Sequence, residues 1–144
     1  MGKDELKSLI GLWDAEIHSA LSLKEPSWPK LQGLLKETYK ALTLYHKDGL
    51  VPKELARIML CMDEFLYFTS LMEEKEKGFG YYRWREIKCL VDAMKNGFFE
   101  GKYDYAFPKL KITDPEDNDI LFDLEKNSLE DYFATYQGLM SREP

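Results

Sequence analysis

The stretch PKELARIMLCMDEFLYFTSLMEEKEKG, residues 52–78, decides the fold. Pro52 stands where a helix can open, because its missing N–H costs nothing in a first turn. Glu54 adds a carboxylate suited to the positive end of the helix dipole. The helical pattern runs on to Lys77, and Gly78 is placed to stop it. Between these ends Leu55, Ile58, Met59, Leu60, Met62, Phe65, Leu66, Phe68, Leu71 and Met72 cover a wider arc than a surface helix needs. Such a segment is expected at the centre of a bundle, with other helices around it. Arg57, Asp63 and Glu64 interrupt it, so it does not make a membrane span, which takes about 20 uncharged residues.

Toward the N-terminus, Leu6, Leu9, Ile10, Trp13, Ile17 and Leu21 recur three and four residues apart, which predicts a first helix over residues 4–23. The Pro26-Ser27-Trp28-Pro29 segment separates it from a second helix. Ser27 can cap that helix, Pro29 falls in its first turn, and Leu31, Leu34, Leu35, Tyr39, Leu42 and Tyr45 form its apolar face until Gly49 ends it. Toward the C-terminus, Trp84, Ile87, Leu90, Val91 and Met94 predict a fourth helix over residues 82–96, with Gly97 placed to close it.

After Gly101 the period changes from helical to alternating. Lys109-Leu110-Lys111-Ile112-Thr113 and Asp119-Ile120-Leu121-Phe122-Asp123-Leu124 flank a turn-rich tip, which predicts a β-hairpin over residues 108–124. Asn127-Ser128-Leu129-Glu130-Asp131 carries capping-box chemistry for a last helix over 128–137, with Leu129, Tyr132, Phe133 and Tyr136 as its buried face. The expected fold is mainly α, a single domain over residues 1–144: a compact bundle of about four helices with a C-terminal hairpin and a short final helix.

Composition narrows the function classes. Hydrophobic residues make up 44% and charged residues 32%, enough for both a core and a soluble surface. A formal net charge of -6 and a pI near 5.0 disfavour nucleic acid, whose phosphates need a basic stripe. Charges spaced through residues 3–7 leave no secretory apolar core, and Cys61 and Cys89 lie in apolar helical patterns like buried free thiols. The expectation is a cytoplasmic protein off the membrane.

No catalytic motif stands out. His18 and His46 lack a second histidine one turn away, and a zinc site drawn from them with Cys61 and Cys89 would need four isolated residues from four helices. Glu73 and Glu76 form an E-x-x-E pair of the kind that holds magnesium in helical pyrophosphohydrolases, with Asp92 as a third ligand. The facing helix offers only Glu86 and Asp92, six positions apart, so the pair reads first as a solvated helix end. Asp114, Glu116, Asn118 and Glu125 match calcium-loop positions only in part, because Asp119 stands where the loop needs glycine. Phosphate-binding loops, G-x-S-x-G elbows and C-x-x-C pairs are absent from the sequence. No cofactor is called for.

The remaining signal is aromatic. Residues 79–107 hold Phe79, Tyr81, Tyr82, Trp84, Phe98, Phe99, Tyr103, Tyr105 and Phe107, nine of twenty aromatic residues in the chain. Such a band is core packing, a contact surface, or both. Tyr81, Tyr82, Arg83, Trp84 and Arg85 combine the residue types that dominate interface hot spots. Stacking of single-stranded nucleic acid uses similar residues, but the acidic balance argues against it. The favoured expectation is a small acidic protein that binds a protein partner stoichiometrically, as a bacterial or phage immunity protein or antitoxin does. Self-association into a homodimer uses the same kind of surface. The alternative is a metal-dependent helical hydrolase of a phosphorylated small molecule, with Glu73, Glu76 and Asp92 as ligands.

Overall fold

The computed structural model of the chain describes residues 2–22, 24–74, 81–100, 108–113 and 119–140. The apolar periodicities become four helices, α1 (Lys3–Leu21), α2 (Trp28–Asp48), α3 (Lys53–Glu74) and α4 (Tyr81–Glu100). They are followed by an antiparallel hairpin of β1 (Lys109–Thr113) and β2 (Asp119–Asp123), then α5 (Leu129–Met140). The hairpin tip at 114–118, the partial calcium-loop match centred on it and the aromatic segment 101–107 lie outside the described residues.

Local chemistry accounts for most boundaries. Gly49 takes the left-handed conformation with φ 70°, and the turn closes with Gly49 N donating to His46 O and Leu50 N donating to Tyr45 O. Those two bonds are the paired closure of a glycine-terminated helix. At α5, Ser128 Oγ accepts the Asp131 N–H at 3.1 Å, as the capping pattern predicts. Ser27 differs from expectation. It is the N-cap of α2, yet its side chain makes no capping bond; its carbonyl accepts Leu31 N, and Pro29 sets the first turn.

Two expectations about packing need correction. Gly97 does not end α4, which continues through it to Glu100. A glycine in a helix costs about 1 kcal/mol, and burying Phe98 in the next position, worth roughly 2 kcal/mol, outweighs that. Nor is α3 enclosed on all sides. Leu55, Ile58, Met62 and Phe65 are fully buried, but Leu60 is 56% and Tyr67 61% exposed. Seven residues separate this pair, two helical turns, so both lie on the outer stripe that also carries Arg57, Asp63 and Glu64.

The core sits where α1 packs along α3 and where α2 and α4 close the bundle. Trp13 is fully buried with its ring edge-on to Phe65 at 5.6 Å, and its Nε1 donates to Thr38 Oγ1 at 3.0 Å. Thr38 in turn donates to the Leu34 carbonyl, so this polar chain is satisfied inside the core. In the hairpin Leu110 pairs with Phe122, both buried, whereas Lys111 pairs with the exposed Leu121. The alternation thus turns one face inward onto α4, where Phe122 also meets Tyr132 of α5 with ring centroids 4.9 Å apart.

Candidate interaction surfaces

The first turns of α4 carry the aromatic and arginine residues expected to make contacts. Tyr81 and Tyr82 open the helix, though their side chains lie outside the described residues. Arg83 is exposed and pairs with Glu25 from the α1–α2 connection. Its guanidinium also lies over the Trp28 ring, 5.5 Å from the centroid, and Trp28 meets Phe133 of α5 edge-on at 4.9 Å. One surface therefore joins the start of α2, the start of α4 and α5. Trp84 has a different job. Half-buried against the core, it donates Nε1–H to the Leu66 carbonyl at 3.0 Å and fixes α4 to α3. Arg85 is half-exposed beside it.

The rest of the aromatic band divides. Phe98 is buried, with its ring edge-on to His46 at 6.0 Å, while its neighbour Phe99 is 69% exposed, because adjacent helical residues point about 100° apart. Phe79, Tyr103, Tyr105 and Phe107 lie outside the described residues.

Phe99 belongs to a second surface. Ala56, Met59, Leu60 and Asp63 of α3 face Asp92, Lys95, Asn96 and Phe99 of α4 across a groove of about 470 Å³. The two helices run antiparallel, with Leu66 opposite Trp84 and Asp63 bonded to Lys95. Several charges on this face are paired: Lys95 with Asp63, Lys88 with Asp92 at 2.9 Å, and Arg57 with Glu64 at 3.1 Å and with Asp14 of α1 at 3.9 Å. The bond to Asp92 raises the Lys88 pKa and holds the ammonium charged. Sequence periodicity placed Leu60 in the core. The charged residues one turn away on either side, Arg57, Asp63 and Glu64, were the signal that this stripe faces solvent.

Among the described residues no group of three His, Cys, Asp or Glu is placed to hold a metal ion. Asp92 is engaged by Lys88, Glu73 lies in the last turn of α3 with its side chain outside the described residues, and Glu76 lies outside them altogether. Cys61 is buried and Cys89 half-buried rather than fully enclosed; burial pushes both thiols up. Cys61 Sγ lies 3.8 Å from Asp14 Oδ1, a carboxylate that further disfavours a thiolate. His18 is exposed, and His46 is half-buried against Phe98.

The hairpin and α5 are tied to α2 by residues that carry no motif. Gln32 donates from Nε2 to the carbonyls of Leu124 and Asn127 and accepts the Leu129 N–H at Oε1, spanning the whole β2–α5 connection. Tyr39 donates its hydroxyl to the Lys109 carbonyl at 3.1 Å, and Lys36 pairs with Glu125. Within the connection, buried Asp123 accepts the backbone N–H groups of Glu125 and Lys126. Comparison with family models, with curated proteins and with solved structures finds no match to this chain.

Proposed function

We propose that this protein acts by binding a basic protein partner stoichiometrically, using the start of α4 (Tyr81, Tyr82, Arg83, Trp84 and Arg85) together with the acidic unit packed beside it. The observation that carries this reading is the charge distribution. Residues 101–144 hold ten Asp and Glu against five Lys and Arg, while residues 1–100 hold sixteen against fifteen. Nearly all of the net charge of -6 therefore belongs to the C-terminal segment, whose hairpin and α5 pack on α4 and α2. Among the described residues of that segment Glu125, Glu130 and Asp131 are exposed carboxylates, and with the exposed Arg83 and the half-buried Trp28 they would combine long-range attraction with an aromatic contact. An inhibitor of the immunity or antitoxin kind, working in a bacterial or phage-infected cytoplasm, is the concrete form of this proposal. No described helix is long and apolar enough to cross a membrane, which agrees with a site of action away from the bilayer.

Trp84 is a poor probe of binding because its loss also loosens α4 from α3. Arg83→Ala and the pair Glu125→Gln with Glu130→Gln are better, since all three positions are exposed. Capture from the protein's own cells is expected to yield one basic partner with wild type, less with Arg83→Ala, and progressively less with wild type as salt rises. A partner retained equally by all variants and at all salt concentrations would contradict the proposed surface.

A further inference from the structure

We draw no further inference here: the strongest candidate, the groove between α3 and α4 walled by Leu60, Asp63, Asp92 and Phe99, carries nothing because nothing in the structure shows what covers it.

Discussion

Tyr39 shows how one side chain sets a pH limit on the fold. Its ring is fully buried and its hydroxyl donates to the Lys109 carbonyl, and burial pushes its pKa up to about 12. In the unfolded chain the phenol ionises near 10, so from there to about pH 12 the unfolded state loses a proton that the folded state keeps. Stability from this group is intact below pH 10 and is lost as pH rises through that window. Tyr39→Phe is expected to cost about 1 kcal/mol at neutral pH and to flatten the alkaline decline, which urea unfolding at stepped pH would show. An unchanged alkaline slope would mean that other groups set the limit. Gln32 offers a second test. Its amide serves three backbone groups across the β2–α5 connection, so Gln32→Ala is expected to cost about 2 kcal/mol and to speed exchange of the Leu129 amide more than amides of α1.

The elements obey the apolar pattern wherever burial is one-sided. At Gly49 the left-handed turn is a demand of the backbone itself, and Gly49→Ala is expected to lower stability by about 1 kcal/mol in thermal unfolding. Trp84→Ala should cost about 2–3 kcal/mol, from lost packing and a Leu66 carbonyl left without its indole donor. A loss below about 0.5 kcal/mol would show that α4 does not depend on that anchor. The four helices, the hairpin and the capped last helix were legible because stripes, the glycine stop at Gly49 and strand alternation are local signals; the expected stop at Gly78 lies outside the described residues. The end of α4 was not: whether Gly97 terminates a helix depends on whether Phe98 finds a buried slot, which no local rule states. The outward stripe of α3 was half legible, through Arg57, Asp63 and Glu64, but the abundance of apolar neighbours masked it. Of the contact residues, the Tyr81–Arg85 run was visible by composition alone. The placement of Arg83 over Trp28 joins residues 55 positions apart, and Gln32 reaches across still greater distances in sequence.

Across the whole molecule, the acidic surplus belongs in sequence to residues 101–144, while exposed apolar residues are spread along the chain from Leu12 of α1 through Leu60 and Tyr67 of α3 and Phe99 of α4 to Leu121 of β2. The most direct test of stoichiometric binding is native mass spectrometry of the tagged protein isolated from its own cells at low salt. Binding of a basic partner predicts a mass equal to whole-number copies of this chain plus an equal number of one basic protein, lost for the pair Glu125→Gln with Glu130→Gln. A mass made only of copies of this chain, at every salt concentration, would contradict it.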